Sequence, residues 1–268
     1  MQQRSLFVSH GAPDILLEPG TWGSMLSAYG QMLTGIRAVL VVSAHWQTRG
    51  LTVTAAPAPE TIHDFGSFPE ALYDMHYPAK GAPELARHIA SMLTQQGWLT
   101  SVDAWRGLDH GAWVPLMQLL PEGDIPVLQL SMPQQLNAEG AYRLGQALAP
   151  LTHEGVLVVG SGCLTHNVKE YRQKLQDDAG YVTAFTEWVR DRVMMSDRQG
   201  LLKTLEEAPF ASRAHPTPEH FLPLLIAMGA AGEEARPTVL ETGIQHQVLS
   251  LESYAWSVAN HPDTFRAC

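Results

Sequence analysis

The chain has 268 residues, 45% hydrophobic and 16% charged, with 27 acidic against 17 basic side chains and a formal net charge of −10. A surface of that sign repels phosphate backbones and anionic lipid, which excludes nucleic acid and membrane surfaces as expected partners, and no run reaches the roughly 18 apolar residues of a membrane span. Cys163 and Cys268 are the only cysteines, so disulfides do not hold the fold; with no signal-length apolar stretch at the start, the expectation is a soluble protein with reduced thiols in the cytoplasm.

Short runs rich in Val, Ile and Leu predict strands at Leu6–Ser9, Ala38–Ala44 and Leu51–Ala55. The stretch from Pro57 to Pro83 is irregular and rich in Pro, Gly and aromatics. Long ordered loops of this kind usually cover a site, and it is expected to do so here. Pro83 then opens a helix over Glu84–Gln95. Apolar residues three and four apart predict a helix at Ala112–Leu120, a strand follows at Val127–Ser131, and a second such helix spans Ala138–Leu151. Val156–Gly160 is a strand apolar on both sides, as a central strand must be. A helix over Val182–Met195 precedes a late one that opens near Pro218 and runs through Phe221–Met228 to Gly229 as its C-cap. Thr238–Glu241 and Val248–Val258 read as edge strands. This alternation implies a single domain over residues 1–268, a three-layer α/β/α sandwich with a central, mostly parallel sheet.

Twelve histidines stand out, and their positions matter more than their number. His10 directly follows the first expected strand, His45 the second, and His166 lies six residues beyond Gly160. In an open parallel sheet, ligands bind outside the carboxyl ends of the strands, so these three can converge on one crevice. His220 opens the late helix behind Pro216 and Pro218, and His110 stands just before the helix near Gly111. Neutral imidazole suits zinc, iron, copper or nickel. Two His plus a carboxylate, with open positions, suit Fe(II) that binds oxygen and substrate together, and three or four His with one open site equally suit a catalytic zinc. His63 and His76 read as substrate contacts or solvated loop positions, the second being favoured, and His88, His153, His246 and His261 as surface or element-end residues. Gly160-Ser161-Gly162 is too incomplete for a phosphate loop, and Cys163 reads as a buried apolar thiol rather than a nucleophile.

Several motifs occur together: Phe7-Val8-Ser9-His10-Gly11-Ala12-Pro13, Val42-Ser43-Ala44-His45-Trp46, Ile62-His63-Asp64-Phe65-Gly66, Asp109-His110-Gly111-Ala112-Trp113, Gly160-Ser161-Gly162 with His166-Asn167, and Pro216-Thr217-Pro218-Glu219-His220. In these the chain resembles the DOPA-type branch of the class III extradiol ring-cleavage dioxygenases, over most of its length. The resemblance implies a metal held by His10, His45 and His220. It implies His166 as a catalytic base or further metal contact, and His110 as a residue that holds or protonates substrate. The wider superfamily uses a glutamate as third ligand; here Glu219 precedes His220, which is the favoured ligand, with Glu219 as support behind it or as an alternative ligand. The implied reaction is oxidative opening of a catecholic ring by O2 with Fe(II), although Zn(II) can occupy such a site in isolated protein. Trp46, Phe65, Phe68, Tyr73 and Trp113 are candidate pocket walls. A zinc-dependent hydrolase and a catalytically silent metal-binding protein are the rival readings. The expected partners are a small catecholic molecule and O2, and the expected assembly is a monomer or homodimer.

Overall fold

The second strand shows why the molecule is layered. Along β2 (Ala38–Thr48), Ala38, Leu40 and Val42 enter one hydrophobic cluster while Val39 and Val41 enter another on the opposite face. Alternate residues of β1 (Gln2–Ser9) divide the same way, Phe7 to the first cluster and Leu6 and Val8 to the second. A strand buried on both faces must be covered by helices on both, which makes three layers. The structure, a computed structural model, describes residues 2–173 and 180–259, so His261 and Cys268 lie outside the described residues.

The remaining strands are β3 (Leu51–Thr54), β4 (Thr100–Asp103), β5 (Val127–Pro133), β6 (Val156–Gly162), β7 (Arg236–Leu240), β8 (Ile244–Gln245), β9 (Leu249–Ser250) and β10 (Ser253–Val258). Among the described residues, eight strands form one sheet in the order β4-β3-β5-β2-β6-β1-β10-β7, and β8 and β9 form a separate hairpin. The centre, β5-β2-β6-β1, is parallel. Antiparallel pairings flank it, β3 against β5 on one side and β10 against β1 and β7 on the other.

The helices are α1 (Gly20–Met32), α2 (Pro83–Gln95), α3 (His110–Leu119), α4 (Ala138–His153), α5 (Val168–Gln173), α6 (Gly180–Met194), the short α7 (Arg198–Leu202), α8 (Thr204–Glu207) and α9 (Ala211–Ala214), and α10 (Leu222–Ala231). Residues of α2, α4, α6 and α10 bury into the cluster that holds Leu40, and α1 and α3 into the cluster that holds Val41. No helix among the described residues is long and apolar enough to cross a membrane.

The sandwich and its sheet match expectation, but five local readings change. The second strand runs on to Thr48, so His45 lies within it rather than after it. Pairing with β5 shifts register between Val42 and Gln47, an irregularity that a run of apolar residues does not reveal. The short edge strand β4 went unread because only Val102 in it is strongly apolar, and that residue is 41% exposed. The expected strand over Val248–Val258 is two elements, because the chain leaves the small hairpin after Ser250 and joins the main sheet at Ser253. The late helix begins at Leu222 rather than near Pro218, since Pro216–Phe221 form a turn instead.

Gly229 does not end that helix, which closes at Gly232 with φ of 77°. It packs inside it, against α4. A Cβ at Gly229 would lie 2.3 Å from the Tyr142 carbonyl oxygen, and one at Gly145 2.2 Å from that of Ile226. The paired glycines let the two helix backbones touch. Gly145→Ala is therefore expected to destabilise the protein by about 1–3 kcal/mol through overpacking, read as a lower midpoint in urea unfolding. An unchanged midpoint would show that the helices separate at no cost.

Candidate metal centre

The carboxyl ends of β1, β2 and β6 lie side by side because all three run parallel. His10 is the residue after β1, and its backbone N–H donates to the Gly162 carbonyl at 2.9 Å, tying the two strand ends together. His45 sits in the irregular part of β2, where its backbone N–H donates to Ser43 Oγ at 3.2 Å. His220 comes from the turn before α10, whose Pro218 carbonyl accepts the N–H groups of Phe221 and Leu222. The His220 carbonyl in turn accepts the Cys163 N–H at 3.1 Å. That approach needs glycine. A Cβ at Gly162 would lie 2.1 Å from the His220 oxygen, and one at Gly160 2.0 Å from that of Pro223. The Gly-Ser-Gly run is thus the floor on which the His220 turn rests.

The protons on these rings can be assigned from their outer partners. Ser161 Oγ donates to the Gly111 carbonyl, so it accepts at 2.9 Å from His10 Nδ1–H. His220 Nδ1–H donates to Glu219 Oε1 at 3.2 Å, and His110 Nδ1–H to Asp64 Oδ1 at 2.9 Å. A neutral imidazole with its proton on Nδ1 has a bare lone pair on Nε2. His45 Nε2 stands 3.1 Å from His10 Nε2 and 3.2 Å from His220 Nε2. One proton on His45 can serve only one of these neighbours, which leaves two lone pairs facing each other. A cation removes the conflict. Zinc-group ions bind imidazole nitrogen at about 2.0–2.1 Å, which sets neighbouring ligand nitrogens roughly 3 Å apart. The donor set therefore fits a divalent metal.

Burial keeps the rings neutral, as ligands must be. It lowers His10, His45 and His220 well below the ordinary histidine range, and the neighbouring imidazoles add to the effect, His45 on His10, His110 on His45 and His166 on His220. His166 falls to about 3, mainly through burial and then through His215 and His110. Its ring stacks on His220 with centroids 3.4 Å apart and planes 11° from parallel. The His110 ring lies 3.9 Å from that of His45. Donor atoms of His10, His45 and His110 form one cluster within 4.8 Å, and those of His166, Glu219 and His220 another. The contact between His45 and His220 joins the two. All five expected histidines thus meet in one place.

A cavity of about 1020 Å³ opens above them, lined by His10, His45, His110 and His166 together with Phe65 and Phe68 of the long covering segment. Trp46 and Trp113 instead stand behind the site. Trp46 is buried under the Arg106 guanidinium, and Trp113 is buried with its indole N–H on the Ile62 carbonyl. The Tyr73 hydroxyl bonds the Phe65 carbonyl at 3.4 Å, in the segment itself. His246, read as a surface position, lies at the cavity mouth, 2.9 Å from Asp14. Cys163 is fully buried, which pushes its thiol up to about 12, an inert core residue as expected.

Sequence reasoning missed the polar residues behind the rings. Asp109, Ser43 and Gln129 are each 0% exposed. Asp109 accepts from Ser43 Oγ at 2.7 Å and from Gln129 Nε2 at 2.8 Å, with its own N–H on Gln129 Oε1. Burial raises its carboxyl above the usual range, helped by the charge on Asp64 and opposed by those hydrogen bonds. Asp64 is opposite in sign. Burial raises it too, but the hydrogen bonds it accepts from the His110 ring and backbone outweigh that and hold it below the usual carboxylate range. Both aspartates sit inside quoted motifs, so adjacency to a candidate histidine was the available signal. Gln129 had none.

If Gly162 is the seat of His220, a side chain there must move that ligand without removing it. Gly162→Ala is expected to weaken Zn(II) binding about tenfold or more, in the range that supporting residues of metal sites command, as measured by calorimetric titration. Affinity equal to the parent would mean the turn is held elsewhere.

Residues 25–255 match the family described as the catalytic LigB subunit of aromatic ring-opening dioxygenase. A protein of Beta vulgaris named 4,5-DOPA dioxygenase extradiol is 39% identical over 95% of this chain and 97% of its own length. One of the same name from Escherichia coli K12 is 38% identical over 93% of each chain. The crystal structure of an uncharacterised protein of Escherichia coli K12 superposes with a TM-score of 0.78 at 31% identity, covering 94% of this chain and 99% of that one. With the family match spanning most of the sequence and the histidines gathered at the strand ends, the chain belongs to the LigB family and is an aromatic ring-opening dioxygenase of the extradiol kind.

Proposed function

We propose that the protein cleaves the ring of an ortho-diphenol of the DOPA type with O2, using Fe(II) held by His10, His45 and His220. The observation that carries this reading is the convergence of three Nε2 atoms, within 3.2 Å from one to the next, beside an open cavity that His10 and His45 line. The names of the relatives point to the same substrate type. When bound, Fe(II) supplies a centre that can take both diphenol oxygens and O2 at open positions. A donor set of three neutral imidazoles leaves the ion's charge uncompensated, which favours an anionic bidentate ligand such as a catecholate.

The chain's own residues then select and hold the ring. Phe65 and Phe68 meet edge to face, centroids 5.3 Å apart, on the cavity wall, an apolar surface that suits an aromatic ring and excludes water. His110 and His166 line the same space and present imidazoles to the substrate's oxygens. His166 is stacked on His220 and kept neutral by burial, so its ring can accept a proton from the diphenol as the reaction proceeds. Positioned proton transfer of this kind is worth roughly 10²–10⁴-fold in rate.

The test is metal add-back after anaerobic purification, with Fe(II) and Zn(II) supplied separately. Yellow ring-opened product from DOPA or a simple catechol, with one O2 consumed per turnover and only with iron, is the expected result. Zinc-dependent hydrolysis indifferent to oxygen would overturn it. His45→Ala should lose iron and activity together, read by metal analysis beside oxygen uptake. His166→Ala should keep most of its iron while turnover falls about 10²-fold or more; equal loss of both would make His166 a ligand.

A further inference from the structure

We propose that Asp64 is a positioning residue. It fixes the proton of His110 on Nδ1, so that His110 can only accept a hydrogen bond, and not donate one, toward a phenolic O–H in the cavity. One carboxylate oxygen, Oδ1, accepts both the backbone N–H and the ring Nδ1–H of His110, each at 2.9 Å. Two donors from one residue on one acceptor clamp the backbone and the ring together. Among the described residues, Asp64 is the hydrogen-bond partner of that ring.

The ring is also held sterically. His110 is 6% exposed. The His45 ring lies 3.9 Å away, and the rings of His10 and Phe65 meet it edge-on, each at 5.6 Å. A ring wedged on three sides cannot readily turn over to exchange its nitrogens, so the proton assignment follows the carboxylate. With Nδ1–H committed, Nε2 offers only a lone pair. A site that can only accept recognises a hydroxyl and rejects an ether at the same position, since an ether oxygen has no proton to give.

The pair has a second consequence for placement. Asp64 comes from the covering segment, next to Phe65, whereas His110 begins α3. The same bonds therefore fix the distance between the aromatic wall and the histidine floor.

Zn(II)-loaded protein labelled with ¹⁵N-histidine tests the assignment through two-bond proton–nitrogen correlation spectra, with the His110 signals identified by their loss in His110→Gln. The expected pattern in the parent is the neutral form protonated on Nδ1. A proton on Nε2 there would overturn the proposal without any Asp64 variant having to fold. Asp64→Ala should move the His110 pattern toward Nε2 protonation while the His10 and His220 signals stay in place; an unmoved His110 pattern would also overturn it.

The kinetic half rests on the ring-cleavage reading. Asp64→Ala should lower kcat/KM for a catechol about 10–100-fold with iron content unchanged. Combined with His110→Gln it should cost no more than His110→Gln alone, whereas additive losses would assign Asp64 a purely structural part. Absence of ring cleavage in the parent would defeat the catalytic reading, and the spectra would still decide the one for Asp64.

Discussion

The structure is organised around a repulsion. Three imidazole nitrogens face one another at 3.1 and 3.2 Å, and two of them have already committed their single proton elsewhere. Without an ion between them, that arrangement is held only by the surrounding packing. Ser161, Glu219 and Asp64 do more than support the rings, because each outer acceptor determines which inner nitrogen is left bare. An ion that binds only this arrangement converts the local conflict into stabilisation of the whole fold.

The sheet supplies the rigidity such a conflict demands. His10 and His45 ride on neighbouring strands of a parallel core buried on both faces, and His220 rests on bare backbone at Gly160 and Gly162. Behind them, a buried carboxylate, a serine and a glutamine share their hydrogen bonds across α3, β2 and β5. Burying a carboxyl is costly unless its lone pairs are met, and each Asp109 oxygen has a donor. The result is a floor that cannot relax by rotating one ring. The aromatic cover is different in kind, attached through Asp64 and a few backbone bonds on a segment with little regular structure.

Much of this was legible in the sequence, for identifiable reasons. Continuous apolar runs at Ala38 and Val156 announce central parallel strands, and strand-end histidines announce a crevice, because both follow from chain geometry alone. The five site histidines could be named, yet their mutual geometry could not. The register shift that sets His45 leaves no mark in composition. Gly229 carried the signature of a helix stop, but tertiary contact with α4 had the stronger claim on it. Gln129 lies in the middle of an apolar run, where only its distant partner Asp109 shows why its side chain is polar. Such residues answer to neighbours far away in the chain, and no local pattern encodes them.

The place of β1 in the sheet has a bearing on how the protein is made. Its two neighbours are β6 and β10, so the sheet's earliest strand in chain order is flanked by two that are synthesised well after it. A nascent chain can build β2, β5 and β6 against one another while β1 waits without its partner on the β10 side. His10 travels with that waiting strand, and the His220 turn is itself synthesised late. Ion capture by the trio therefore waits until the His220 turn has been made, and a product truncated before that turn would carry the His10 and His45 imidazoles without their third partner.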